Sequence, residues 1–126
     1  MREKIMVSIV DDDPSVCEGL QDLLSSMGFG AETFHNADEF LGSGHLGGTT
    51  CLIADVQMPG TTGLELHDHL TKSGKKVPTI LITAYPRAAD RARALRNGVH
   101  CYLAKPFSEV DLLSCIRSAV PQPGAT

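Results

Sequence analysis

Four short, mostly apolar segments of the 126-residue chain each end in a polar residue, and this repeated arrangement restricts the fold more than any other feature. The segments lead into Asp11, Asp55, Thr83 and Lys105. Short apolar runs of this kind are typical of parallel strands that are covered on both faces. In an open parallel sheet, ligands bind just beyond the carboxyl ends of the strands. The sequence therefore predicts that these side chains converge on one site.

Helical segments with recognisable start and stop signals separate the strands. Asp13 is suited to an N-cap, Pro14 to the first helical position, and Gly28 to the end of that helix. Thr62 and Ser108 are suited to cap two later helices. Five strands are expected near residues 4–10, 31–34, 51–55, 77–83 and 100–104, each followed by a helix. This alternation predicts a three-layer α/β sandwich.

The expected strand order brings the polar strand ends together. Right-handed crossovers leave few topologies for five parallel strands, and a common one has the order 2-1-3-4-5. The first and third strands are then neighbours, about 4.8 Å apart. This order predicts one acidic pocket formed by Asp11, Asp12 and Asp55. Thr83 and Lys105 are expected to flank it.

The residue types in this pocket indicate phosphoryl chemistry on a divalent metal. Clustered carboxylates repel one another unless a cation is bound or their pKa values rise. A site with oxygen ligands and open positions suits Mg²⁺, whereas zinc is disfavoured because no His or Cys stands at these strand ends. Lys105 and Thr83 can hold phosphoryl oxygens. Asp55 stands alone at its strand end and is the candidate nucleophile, because an Asp can form an acyl phosphate.

Composition and charge exclude several other classes of protein. The formal net charge of −4 argues against nucleic-acid binding by this segment, which would need a basic face. No apolar run approaches the roughly 20 residues that span a bilayer, and the N-terminus lacks a secretory apolar region. We therefore expect a cytoplasmic protein without a membrane segment. Its four cysteines form no CxxC pair and are expected to be reduced and buried: Cys17, Cys51, Cys101 and Cys115.

Four motifs carry a resemblance to a known family. The runs Ile9–Pro14, Asp55–Gly60, Ile82–Ala84 and Lys105–Phe107 resemble the response-regulator receiver domain of two-component signalling. The similarity covers essentially the whole chain in order and spacing, and it is closest to FixJ-like receivers, which usually precede a DNA-binding domain. It implies the flavodoxin-like (CheY-like) fold over residues 1–120. The Pro/Gly-containing residues 121–126 are expected to begin a linker or a C-terminal tail.

The resemblance also implies a metal site and a phosphoacceptor. Asp55 would accept the phosphoryl group and take part in binding Mg²⁺. Asp12 would ligate the ion directly, Asp11 mostly through water, and Gln57 through its main-chain carbonyl.

Further implied roles concern the phosphoryl group and the switch. Thr83 and Lys105 would bind the phosphoryl oxygens, and the Lys105–Pro106 bond would be cis. Tyr102 matches the aromatic switch position, where the side chain swings inward as Thr83 moves to the phosphate.

Partners follow from the same resemblance. A sensor histidine kinase would donate the phosphoryl group, and phosphorylation would promote a homodimer through the fourth helix, fifth strand and fifth helix. The domain would be a self-phosphorylating and self-dephosphorylating switch rather than a turnover enzyme. Its output would be transcription, through a DNA-binding domain outside this chain. The alternative is a stand-alone receiver that acts by docking to other proteins.

Each of these residues also has an ordinary structural explanation. The run Asp11–Asp13 can be a helix cap, although a cap accounts for one Asp of the three. Asp55 can begin a turn, and Lys105 can be a solvated strand end. Thr83 can be an ordinary strand residue, and Tyr102 can be simple core packing.

Other functional classes on similar folds fit the sequence less well. A phosphatase of the haloacid dehalogenase type has a second Asp two residues after its nucleophile, where this chain has Gln57. A flavodoxin-like FMN carrier needs a phosphate loop rich in Ser, Thr and Gly after the first strand, where this chain has three acids. A receiver that has lost its chemistry and only docks is disfavoured, because the acidic residues are intact.

Overall fold

The computed structural model describes residues 5–120, in which one parallel sheet lies between two layers of helices. The sheet order is β2-β1-β3-β4-β5, which confirms the predicted topology. The strands are β1 (Met6–Val10), β2 (Gly30–Phe34), β3 (Cys51–Asp55), β4 (Thr79–Thr83) and β5 (Cys101–Ala104). The helices are α1 (Pro14–Ser26), α2 (Ala37–Gly42), α3 (Gly63–Lys72), α4 (Ala88–Arg96) and α5 (Glu109–Ala119), with a short 3-10 turn at Leu46–Gly48.

Strand register sets the position of the polar residues that were predicted to converge. Val10 pairs with Ala54, so that Asp11 and Asp55 follow at neighbouring strand ends. Thr83 pairs with Ala104, which directly precedes Lys105. All four strand pairs are parallel. The carboxyl ends of β1, β3, β4 and β5 therefore meet at one edge of the sheet.

Local signals start the helices as the sequence predicted. The Asp13 carboxylate accepts a hydrogen bond from the Ser15 N–H, and Pro14 is the first residue of α1. Thr62 and Glu65 form a reciprocal capping box at the start of α3.

The predicted fourth strand begins too early, because β4 starts at Thr79. Its predecessor Pro78 has no N–H to donate to the ladder.

Both faces of the sheet are covered by apolar side chains. On one face, β-strand residues such as Ile53, Ile80 and Ile82 pack with residues of α1 and α5. On the other face, Leu52 and Leu81 pack with residues of α2, α3 and α4. Complete burial of one such side chain contributes about 1.5–3 kcal/mol, so the central strands are held firmly. This packing fixes the sheet edge on which the polar residues stand.

The cysteines differ in part from the prediction. All four are free thiols, as expected. Cys17 and Cys51 are buried, but Cys101 and Cys115 are only half-buried. The prediction of burial was wrong for these two because both lie at the edge of the sheet: Cys101 is on β5, which has a neighbouring strand on one side only, and Cys115 is on α5 beside Cys101. Among residues 5–120, no helix combines the length and apolar character needed to cross a membrane. The predicted linker at 121–126 lies outside the described residues.

Candidate functional site

Three carboxylates meet at the edge of the sheet where the strands end. Asp11, Asp12 and Asp55 each offer one carboxylate oxygen, and these three oxygens lie within 4.8 Å of one another. Asp11 is completely buried and Asp55 is 6% exposed, whereas Asp12 faces solvent. The cluster therefore combines two fixed carboxylates with one that is open to water. The sequence had predicted these three residues as one acidic pocket.

Main-chain hydrogen bonds hold the two buried carboxylates. The Asp13 N–H donates to Asp11 Oδ1 at 2.9 Å, and the Gln57 N–H donates to Asp55 Oδ1 at 3.0 Å. In each case an Asp side chain bonds to the N–H two residues further on, a local turn that Asp favours. Each carboxylate thus keeps its second oxygen for other partners.

Lys105 places its ammonium group between those two second oxygens. Its Nζ lies 2.9 Å from Asp11 Oδ2 and 3.1 Å from Asp55 Oδ2. The neighbouring strand β4 positions Lys105, since the Lys105 N–H donates to the Thr83 carbonyl at 2.7 Å. The bond from Lys105 to Pro106 is cis, as the resemblance implied. The Lys105 ammonium therefore forms ion pairs with both buried carboxylates.

The pKa values of this pair reflect burial as well as pairing. Burial raises the pKa of Asp55, and the negative charge of Asp11 raises it further. The hydrogen bond from Lys105 opposes this rise without cancelling it. For Lys105, burial lowers the pKa, but the hydrogen bonds to Asp11 and Asp55 outweigh it and raise the pKa overall. The ammonium therefore stays charged at neutral pH, and Asp55 is a carboxylate whose charge is incompletely compensated.

The donor set fits a small, hard divalent cation. Mg²⁺ prefers octahedral oxygen ligation at about 2.0–2.1 Å, which puts its ligand oxygens roughly 3–4 Å apart. The observed limit of 4.8 Å between the three carboxylate oxygens requires only small side-chain adjustments. In the described part of the chain, the potential metal-binding group consists of carboxylates without His or Cys. Zinc is therefore disfavoured, as the sequence indicated.

Thr83 stands beside the pocket, but its hydroxyl is already engaged. The side chain is completely buried, and its Oγ1 donates a hydrogen bond to the side-chain oxygen Oε1 of Gln57. The same Oγ1 accepts a hydrogen bond from the Tyr85 N–H at 3.0 Å. The resemblance had implied the main-chain carbonyl of Gln57 as a metal ligand, and this contact of its side chain with Thr83 was not predicted. The signal for this contact in the sequence was the long amide side chain of Gln57, which stands two residues beyond β3 and next to the end of the neighbouring strand β4.

Tyr102 lies in β5 and points into the molecule. The side chain is 8% exposed and belongs to the apolar cluster that also contains Leu81, Ala94 and Val99. Its hydroxyl accepts a long hydrogen bond from the Arg87 N–H at 3.4 Å, just before α4. The tyrosine therefore already contacts the segment between β4 and α4. Its role as a switch stays a prediction.

Gly63 is a residue that the sequence did not single out for the site. A Cβ atom at this position would lie 2.4 Å from the main-chain oxygen of Asp55. The first turn of α3 therefore approaches the end of β3 more closely than any other residue type would permit. The signal in the sequence was a glycine directly after the helix cap Thr62, where no turn requires one. This close approach helps to set where the Asp55 carboxylate lies.

Comparison with known proteins decides the family. Residues 7–117 match the family model described as the response regulator receiver domain. The chain belongs to this family. Receiver domains are signalling switches with an acidic, Mg²⁺-binding pocket, and the carboxylate cluster stands within the matched region of this receiver. The resemblance seen in the sequence is thereby confirmed.

Full-length response regulators are among the proteins similar to this receiver. It is 35% identical over 115 residues to the response regulator protein TodT of Pseudomonas putida, covering 91% of this chain and 51% of TodT. It is 32% identical over 120 residues to the transcriptional regulatory protein FixJ of Azorhizobium caulinodans, covering 95% of this chain and 57% of FixJ. The solved structure of the response regulator StyR has a TM-score of 0.86 and 41% identity, covering 94% of this chain and 60% of that one. The receiver thus spans about half the length of these relatives.

Proposed function

We propose that this receiver accepts a phosphoryl group from a sensor histidine kinase onto Asp55 and thereby switches an output. The observation that carries this proposal is the placement of the Asp55 carboxylate, which lies 3.1 Å from the Lys105 ammonium and in one cluster with Asp11 and Asp12. A carboxylate oxygen of Asp55 forms a bond to phosphorus while the bond from phosphorus to the donor breaks. The product is an acyl phosphate.

The side chains around Asp55 supply orientation and charge. The Gln57 N–H and the Lys105 ammonium each hold one oxygen of the carboxylate, which restricts its rotation. The Lys105 ammonium also supplies positive charge where the phosphoryl oxygens become more negative. Thr83, at the end of the adjacent strand, supplies a hydroxyl donor for one of these oxygens.

The carboxylates of Asp11, Asp12 and Asp55 would hold Mg²⁺ together with the main-chain carbonyl of Gln57. The exposed position of Asp12 supports this assignment, because Mg²⁺ keeps several of its waters. When bound, the ion supplies charge stabilisation for the transferring phosphoryl group. Lys105 forms ion pairs with Asp11 and Asp55. Asp12 is the third carboxylate of the cluster, and it is not paired with Lys105.

Mass spectrometry tests the phosphoacceptor directly. Incubation with a small acyl phosphate and Mg²⁺ should add the mass of one phosphoryl group to the intact protein. The addition should disappear in Asp55→Asn and persist in Asp22→Asn, a matched change at an exposed carboxylate on α1. Chelation of the metal should abolish it in the native sequence. Equal labelling of Asp55→Asn would refute the assignment.

Transcription is the output that the relatives favour. FixJ, of which the match covers 57%, is named a transcriptional regulatory protein. We infer that this receiver likewise controls an effector domain, that DNA is contacted only through that domain, and that signalling takes place in the cytoplasm. The family match to residues 7–117 supports a receiver over residues 1–120, with residues 121–126 as the beginning of a linker or tail.

Self-association through α4, β5 and α5 is the means of control that we propose. Two exposed apolar side chains on these helices support it, because Leu95 is 43% and Val110 is 75% exposed. Phosphorylation at Asp55 would act on this face through Thr83 and Tyr102. Sedimentation velocity with and without the phosphate mimic beryllofluoride should show a monomer that becomes a dimer. A protein that stays monomeric at high concentration with the mimic bound would exclude this dimer.

A further inference from the structure

The hydroxyl of Thr83 has one proton, and in this structure Gln57 takes it. Thr83 Oγ1 donates to Gln57 Oε1, and the same oxygen accepts from the Tyr85 N–H at 3.0 Å. A hydroxyl group has a single O–H donor, so Thr83 cannot donate to a second acceptor at the same time. Its side chain is completely buried, which means that water cannot replace Gln57 without a rearrangement.

This contact conflicts with the role of Thr83 in the phosphorylated protein. A phosphoryl oxygen on Asp55 needs the proton that Gln57 now accepts. We propose that the side-chain amide of Gln57 is a latch that holds Thr83 in the unphosphorylated arrangement and competes with the phosphoryl group for its hydroxyl. The proposal rests on the proposed function of Asp55. It adds a positioning role for the side chain of Gln57, a residue whose other contributions to the site come from its main chain.

The latch extends to the segment that leads into α4. Since the Tyr85 N–H donates to the Thr83 hydroxyl, movement of Thr83 requires movement of this segment as well. Its other end is tied to Tyr102 through the Arg87 N–H. One hydrogen bond from Thr83 to Gln57 therefore stabilises an arrangement that runs from β3 to the start of α4.

The surroundings of Gln57 also provide a place for the released amide. Gln57 is half-buried and lines an open groove between the β3–α3 segment and α4. The polar side chains Glu65, Asp90 and Arg93 line the same groove. Once Thr83 turns to the phosphoryl oxygen, the amide can find a partner among these groups or water. Release of the latch therefore does not leave a buried amide unpaired.

Replacing Gln57 with methionine tests the latch with little change in side-chain length. Gln57→Met removes the acceptor for the Thr83 hydroxyl in the unliganded protein but not in the phosphorylated arrangement, where the latch is open. Beryllofluoride should therefore bind more tightly to Gln57→Met at saturating Mg²⁺, by about three- to tenfold, the factor for one lost hydrogen bond. Isothermal titration of each variant with beryllofluoride measures this ratio, and Gln57→Ala provides a second variant if the methionine disturbs folding.

A double-mutant cycle with Thr83 identifies the cause of any gain. The gain should persist in Thr83→Ser, which keeps the hydroxyl, and vanish in Thr83→Val, which lacks it. Equal or weaker binding to both Gln57 variants, or an undiminished gain in Thr83→Val, would overturn the latch. A native protein that does not bind beryllofluoride at all would instead refute the proposed function of Asp55, so that the two failures are distinguishable.

Discussion

Replacing Gly63 with alanine places a methyl group where the structure has no room for one. The new Cβ would lie 2.4 Å from the main-chain oxygen of Asp55, 3.0 Å from its carbonyl carbon and 3.1 Å from Leu81 Cδ2. Even close carbon–oxygen contacts in proteins lie at roughly 3.3–3.6 Å, so the start of α3 must move away from β3 by about 1 Å.

The free energy of unfolding should fall because overpacking exceeds the gain in helix propensity. Overpacking of this kind costs about 1–3 kcal/mol. An alanine gains about 0.5–1 kcal/mol over a glycine inside a helix. The net loss should be about 1–2 kcal/mol, which lowers the melting temperature of a domain of this size by roughly 3–8 °C.

Thermal unfolding followed by circular dichroism measures this loss, and Gly19→Ala is the matched control. Gly19 lies exposed within α1, and apart from its chain neighbours and the backbone of its own helix no atom lies within 4 Å of the place that a Cβ would occupy, so alanine should leave the melting temperature unchanged or raise it. Gly63→Ala should also weaken beryllofluoride binding, since it displaces the main chain of Asp55. If Gly63→Ala melts at or above the native temperature, the close approach does not constrain the fold.

Two further outcomes follow from the charges of the pocket. Mg²⁺ should raise the melting temperature of the native protein, as measured by calorimetry, because the ion binds only the folded state. The melting temperature of Asp12→Ala should not rise with Mg²⁺ in the same measurement. A second prediction is that, in metal-free buffer, Asp55→Asn is more stable than the native protein at neutral pH. Burial raises the pKa of Asp55 in the folded state, so its ionisation opposes folding as the pH rises above the ordinary range of an Asp. Melting curves should show this advantage shrink toward pH 4, and an advantage independent of pH would contradict the reasoning.

The sequence predicted the elements whose position follows from chain connectivity. In a parallel sheet, every residue just after a strand lies at the same edge, so Asp11, Asp55 and Lys105 could be placed together without knowledge of packing. The start of α1 was equally predictable, because Asp13 and Pro14 act locally. The strand order followed from the few topologies that right-handed crossovers permit.

Other features depended on distances between elements that no local pattern encodes. The contact from Thr83 to Gln57 requires the end of β4 and the β3–α3 segment to lie at hydrogen-bond distance, and side-chain packing sets that distance. The tight fit at Gly63 arises in the same way, from the approach of α3 to β3. The half-buried state of Cys101 depends on how far α5 covers an edge strand. Apolar periodicity indicates which face is covered but not how completely.

The balance of charge at the sheet edge gives a physical reason why the proposed metal ion and phosphoryl group would bind together. Within residues 5–120, the carboxylates of Asp11, Asp12 and Asp55 have one close cation, Lys105, so the cluster has about two uncompensated negative charges, which one divalent ion can neutralise. The proposed phosphorylation would remove the charge of the Asp55 carboxylate but add about −1.5 to −2 on the phosphoryl oxygens. The demand for positive charge is therefore at least as great after the transfer as before it. A receiver of this design should bind metal and phosphoryl group cooperatively, with Lys105 as the permanent cation and Thr83 as the donor that responds.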